Sequence, residues 1–80
     1  MKIYDYKGKK NVCADKVFEA RRRLKMTQDD LAMAFKNEGI LLEQDSISRM
    51  ELGLRFVTDY EIRALSKILN VSVNWLLGVE

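Results

Sequence analysis

The chain of 80 residues has no proline, no histidine, one cysteine and only four glycines. A single cysteine, Cys13, rules out a disulfide framework, and without histidine a structural zinc site is not expected either. The missing histidine also removes the commonest general base. There is no phosphate-binding glycine loop and no serine with a credible base, so the expectation is a protein that is not an enzyme and holds no metal or cofactor. No apolar run approaches the roughly 20 residues that cross a bilayer. The opening MKIYDYKGKK lacks the apolar stretch of a secretory signal. A cytoplasmic chain with no membrane partner and no small-molecule substrate is therefore expected, Cys13 serving as a small apolar core residue.

The composition, 48% hydrophobic and 32% charged, is that of a folded domain, and the length allows one core and one domain over 1–80. A net charge of +2 conceals an asymmetry. Residues 1–25 carry nine Lys/Arg against three Asp/Glu, whereas residues 26–80 carry five against nine. A basic end on an otherwise acidic chain suits an anionic partner approached from one side.

With so few breakers, helix ends must be read from caps. Cys13, Val17, Ala20 and Leu24 recur at helical spacing and predict a first helix over Asn11–Leu24, with Asn11 as its N-cap and Arg21, Arg22, Arg23 and Lys25 beside its C-terminal dipole. Thr27 to Asp30 resembles a capping box with Asp in place of Glu. It opens a second helix that buries Leu31, Ala34 and Phe35 and stops at Gly39. A third helix is expected over Gln44–Leu52, with Ile47 and Met50 inward, Leu42 beside them, and Gly53 ending it. Thr58 and Glu61 form a clearer capping box for a fourth helix striped by Ile62, Leu65 and Leu69 and stopped at Asn70. Ser72 caps a last helix over Val73–Leu77, before Gly78. The reading is all-α: a helical core over 11–78 behind an N-terminal arm, residues 1–10, in which Ile3, Tyr4 and Tyr6 pack back. Phe18, Phe35, Phe56, Tyr60 and Trp75 are assigned to packing rather than to stacking on bases.

Short second and third helices joined by a glycine-marked link suggest a helix-turn-helix, whose second member enters the major groove of duplex DNA by its N-terminal end. Inward Ile47 and Met50 leave Gln44, Asp45, Ser48 and Arg49 on the exposed face. Gln suits adenine and Arg suits guanine. Gln28, in the first turn of the second helix, is placed to hold a phosphate.

Three blocks, in order, carry a family likeness: Thr27-Gln28-Asp29-Asp30-Leu31-Ala32, then Ser46-Ile47-Ser48-Arg49-Met50-Glu51-Leu52-Gly53, then Leu65-Ser66-Lys67-Ile68-Leu69-Asn70-Val71-Ser72-Val73-Asn74-Trp75-Leu76-Leu77-Gly78. Over residues 17–78 the chain resembles the Cro/C1-type (XRE family) helix-turn-helix regulators, in the bacterial subgroup with a longer link between helices two and three. The resemblance implies a five-helix, lambda-repressor-like domain that binds double-stranded DNA sequence-specifically. It also implies a homodimer on a pseudo-palindromic operator, with repression as the expected outcome. Phosphate contacts are implied for Gln28, Ser46 and Arg55, and an internal ion pair between Arg21 and Glu51. The base-facing edge of the third helix holds Glu43, Gln44, Asp45, Ser48 and Arg49. The apolar end Val73, Trp75, Leu76, Leu77 and Val79 offers a surface for a second protomer.

Three positions depart from the family pattern. Glu43 stands where Ser, Thr or Asn usually caps the reading helix, Asp45 where a neutral or basic residue is usual, and Leu52 replaces a polar residue. The two carboxylates are the argument for an alternative, a protein-interaction module on the same fold (antitoxin, adaptor or antirepressor). Lys2, Lys7, Lys9, Lys10, Arg49 and Arg55 argue for DNA.

Overall fold

The computed structural model describes residues 5–79. The described residues form five helices and no strand: α1 (Ala14–Arg23), α2 (Gln28–Asn37), α3 (Gln44–Glu51), α4 (Asp59–Leu69) and α5 (Val73–Leu77). None is long and apolar enough to cross a membrane. The core is one cluster, with Cys13, Val17 and Ala20 of the first segment against Leu31, Phe35, Ile47, Met50, Leu65 and Leu76. α3 packs on α1 and α2, while α4 packs on α1, α2 and α5. Burial pushes the Cys13 thiol up to about 11, so it stays protonated and apolar.

Caps set most of the helix ends. Thr27 accepts from the Asp30 N–H at 3.0 Å and the Asp30 carboxylate accepts from the Thr27 N–H at 2.9 Å, so Asp closes this box as Glu would. Thr58 and Glu61 close the second box in the same way. Ser72 accepts from the Trp75 N–H at the start of α5. Asn70 takes the left-handed conformation that ends α4. Gly39, at φ +83°, ends α2 as Ile40 N–H turns back to the Phe35 carbonyl.

Several expectations are corrected. α1 begins at Ala14, with Cys13 as an N-cap that forms no side-chain bond. Asn11 does not cap it in the usual sense: its Oδ1 accepts from Cys13 N–H, while its Nδ2 donates to the carbonyls of Met50 at 3.2 Å and Arg55 at 3.0 Å. A side chain with both a donor and an acceptor here splices the chain start onto the end of α3. Leu24 is exposed, because the helix has ended and the chain turns through Lys25 at φ +58°. Ala34 is only half-buried, and Ala32 packs on the core in its place. α3 ends at Glu51, with Leu52 as an exposed C-cap.

Among the aromatic residues assigned to packing, Phe35 alone is fully buried; Phe18, Phe56 and Tyr60 are exposed and Trp75 half-buried. Cations cover several of these rings, with Arg22 over Phe18 at 5.3 Å and Lys16 over Trp75 at 4.6 Å. Leu76 is fully buried, and Lys16 also donates to the Trp75 carbonyl. Those two residues therefore close the core of this chain, and only Val73, Leu77 and Val79 of the apolar end remain exposed.

In the arm, Ile3 and Tyr4, like Lys2, lie outside the described residues. Tyr6 is exposed and sits in a tight turn with Lys9, its N–H and carbonyl both bonded across. What docks is the stem of Lys9 and the backbone of Lys10. Lys10 N–H donates to the Gly53 carbonyl at 2.9 Å, and the Lys9 side chain lies where a Cβ on Gly53 would stand, 2.8 Å away. Gly53 is thus required twice, for its φ of +75° and for the arm above it.

Lys25 marks a strained turn with a checkable cost. A left-handed L-residue costs about 1–2 kcal/mol, which glycine avoids. Lys25→Gly should stabilise the fold by about 1 kcal/mol, raising the melting temperature of so small a domain by roughly 4–8 °C. Thermal unfolding followed by circular dichroism checks this; an unchanged or lower midpoint would show that the turn carries no strain.

Candidate nucleic-acid interface

Glu51 lies on the inner face of α3, one residue past the buried Met50, and so meets α1 and α2 rather than solvent. Arg21 is 6% and Glu51 8% exposed. The guanidinium grips the carboxylate through Nε at 2.6 Å and Nη2 at 2.9 Å, and its Nη1 donates to the Met26 carbonyl at 2.8 Å. The bonds to Glu51 hold the Arg21 guanidinium above its ordinary value, so it remains charged at any relevant pH. The pair expected between Arg21 and Glu51 is formed.

A chain of side chains runs outward from this pair. Gln28, the first residue of α2, donates from Nε2 to Glu51 Oε1 at 3.1 Å. Gln44, the first residue of α3, donates from Nε2 to Gln28 Oε1. The direction of both amides follows from the carboxylate. Glu51 can only accept, so Gln28 must turn its NH₂ inward and its oxygen outward, and Gln44 must then answer with an N–H. One N–H and the carbonyl oxygen of Gln44 are left for something else. A buried ion pair in the core thus dictates the face that an exposed amide shows to the outside.

Around these two glutamines lies a shallow polar hollow lined by Arg21, Arg22, Lys25, Thr27, Gln28 and Gln44, with Asp29 as its one carboxylate. Arg22 and Lys25 pair with no carboxylate among the described residues. Two exposed cations beside the amino end of α2, whose dipole is positive, make the hollow suited to an anion.

The other expected site residues fall in different settings. Glu43 is the exposed N-cap of α3, but its side chain forms no cap bond. Asp45 and Arg49 pair with each other at 3.7 Å along the exposed face, an interaction worth only about 0.2–0.5 kcal/mol. Ser46 and Ser48 are half-buried on the same helix. Arg55 stands apart, beyond the carboxyl end of α3. It turns inward and pairs through both Nη atoms with Glu61, at 3.0 and 3.3 Å. Glu61 is 3% exposed and also accepts from Thr58 N–H, so the Arg55 charge neutralises a buried carboxylate.

Sequence reasoning named Gln28 and Gln44 but not their bond, and it read Lys25 only as a complement to the α1 dipole. The cue was there in the spacing: Lys25 lies two residues before the cap of α2, which brings its charge beside Gln28 once the chain turns. No protein-family model matches the chain, and no curated protein or solved structure matches it either.

The buried pair can be separated from its exposed neighbour by mutation. Arg21→Ala leaves Glu51 buried and uncompensated, at a cost of roughly 3–5 kcal/mol. Arg22→Ala, at an exposed position, should stay within about 0.5 kcal/mol. Urea unfolding of both variants checks the contrast, and equal midpoints would refute it.

Proposed function

We propose that the chain is a cytoplasmic, sequence-specific double-stranded DNA-binding regulator of the Cro/C1-type, a repressor in its usual mode, which reads the major groove with the amino end of α3. The observation that supports this most is the orientation of Gln44. After its bond to Gln28, the amide retains one N–H and its carbonyl oxygen. Adenine offers the complementary N7 acceptor and N6 amino donor on its major-groove edge. Gln28, its amide committed to Glu51 and Gln44, borders the hollow that Arg22 and Lys25 make cationic, where a backbone phosphate is held. The base reader and the phosphate holder are therefore one hydrogen-bonded unit.

Arg49 reaches guanine or a flanking phosphate from one turn further along α3, with Asp45 orienting it. Ser46 and Ser48 lie on the same helix for further contacts. Arg55, committed to Glu61, contributes less to phosphate binding than Arg22 and Lys25. One module covers a half-site and buries roughly 600–1,000 Å² on DNA, so a two-fold pair on a pseudo-palindrome supplies the remaining selectivity.

A second reading rests on Glu43 and Asp45, two exposed carboxylates at the end of α3 that would meet the DNA. They fit a protein-interaction module that has given up DNA. Salt titration separates the two readings. On random duplex DNA, Lys25→Gly and Arg22→Ala should each lower the slope of log K against log salt by about one unit. Lys25→Gly is the sharper probe, because it is expected to gain stability while losing affinity. Arg55→Ala should change the slope less than either. No measurable binding by the wild type at low salt would favour the interaction module.

Base reading has its own test. Gln44→Ala should relax selection at one position per half-site, with a discrimination loss of about 1–3 kcal/mol, while the melting temperature holds because the side chain is exposed. Selection of bound duplexes from a random pool checks this. Identical enriched motifs for wild type and variant would show that Gln44 reads no base.

A further inference from the structure

Gln44 borders two hollows of opposite character. On one side lie Arg22 and Lys25. On the other lies a second hollow, between α2 and the link to α3, lined by the apolar Ala32, Met33, Leu41 and Leu42 and by Asp29, Lys36, Glu43 and Gln44. Leu41 is 79% and Met33 58% exposed. The exposure of Leu41 follows from the backbone. Ile40 and Leu42 both pack against the core, and alternation along the extended link turns the leucine between them outward. It stands two residues before the N-cap of the helix whose amino end is the proposed reader.

We propose that Leu41 reads the C5-methyl group of a thymine adjacent to the base met by Gln44; this rests on the DNA-binding reading above. The thymine methyl is the one apolar feature of the major-groove edge, and apolar side chains recognise it. A phosphate suits this side of Gln44 less well, since the carboxylates of Asp29 and Glu43 outnumber the one cation of the lining, Lys36. Leucine beside a carboxylate fits the base edges, where a methyl and an amino group can both be met. The amide, the methyl pocket and the cationic hollow then divide the work of one half-site among base identity, thymine and backbone.

The test starts from duplexes that the wild-type protein enriches from a random pool. Each thymine in the enriched motif is replaced in turn by uracil, which removes the methyl and leaves every hydrogen-bonding group in place. One thymine position should weaken binding about fourfold on replacement, the value of one buried methyl. Leu41→Ala, which folds normally because the side chain is exposed, should bind the thymine and uracil forms at that position equally well. Met33→Ala should keep the wild-type ratio. Uracil tolerated everywhere by the wild type overturns the assignment, as does a thymine preference that survives in Leu41→Ala. Loss of affinity in Leu41→Ala that is equal on thymine and uracil duplexes, with the wild type also indifferent, would instead identify Leu41 as a contact between proteins. A pool that yields no enriched motif removes the DNA-binding reading and this one with it.

Discussion

Glu51 is a carboxylate taken out of water, and the arrangement of α1, α2 and α3 follows from what that costs. An unpaired buried charge costs several kcal/mol, so every lone pair on it needs a donor with good geometry. Arg21 from α1 supplies two and Gln28 from α2 a third. The guanidinium gives a third donor to the Met26 carbonyl, in the link between those helices. Apolar packing of Val17, Leu31, Phe35 and Ile47 alone would tolerate sliding and rotation of the three helices. The charge pair does not, because a shift of an ångström breaks bonds that nothing else replaces. Stability comes mainly from the apolar cluster, and the relative setting of the helices comes from this polar joint.

A second joint, built on the same rule, lies beyond the carboxyl end of α3. Glu61 is buried, closes the cap of α4, and is neutralised by Arg55 from the loop between the helices. Asn11 ties that loop and the end of α3 to the chain start. The segment after α3 has no regular structure, yet its course is determined because the buried Glu61 and the half-buried Asn11 take partners from it. The carboxyl end of the candidate reading helix and the loop after it are thus held by hydrogen bonds that are costly to break.

How far these features were legible in the sequence depends on whether the signal is local. Caps are local, which is why Thr27, Thr58, Ser72, Gly39 and Asn70 marked their helix ends. The Arg21–Glu51 pair was legible through a likeness of pattern, not through spacing, since the partners are 30 residues apart. Asn11 misled because a cap and a long-range splice use the same residue type, and only the folded chain brings Met50 and Arg55 within its reach. Phe18, Phe56 and Tyr60 misled because aromatic character signals burial, while here cations or solvent cover the rings. Arg55 is expected at a phosphate through the family likeness alone, and nothing local shows that Glu61, the acid of a capping box, also takes its charge. Among the candidate site residues, Gln28 and Gln44 were found by position, whereas their shared orientation depends on Glu51 and required the fold.

The docking of the arm has a consequence for how the molecule comes apart. Residues 5–10 hold to the body by one backbone bond to Gly53, the stem of Lys9, an exposed Lys9–Asp15 pair and the Lys10 ammonium over Phe56, with no side chain of theirs in the core. Segments with so little buried area open at a small fraction of the global unfolding free energy. When the arm peels back, Gly53 loses its cover, while Arg21, through Glu51, keeps the carboxyl end of α3 seated. The reading helix is therefore anchored like a door, hinged firmly at the end that carries Glu51 and held at the Gln44 end by an exposed amide bond to Gln28. Anything attached to the start of the chain pulls on the arm first and leaves the hinge alone.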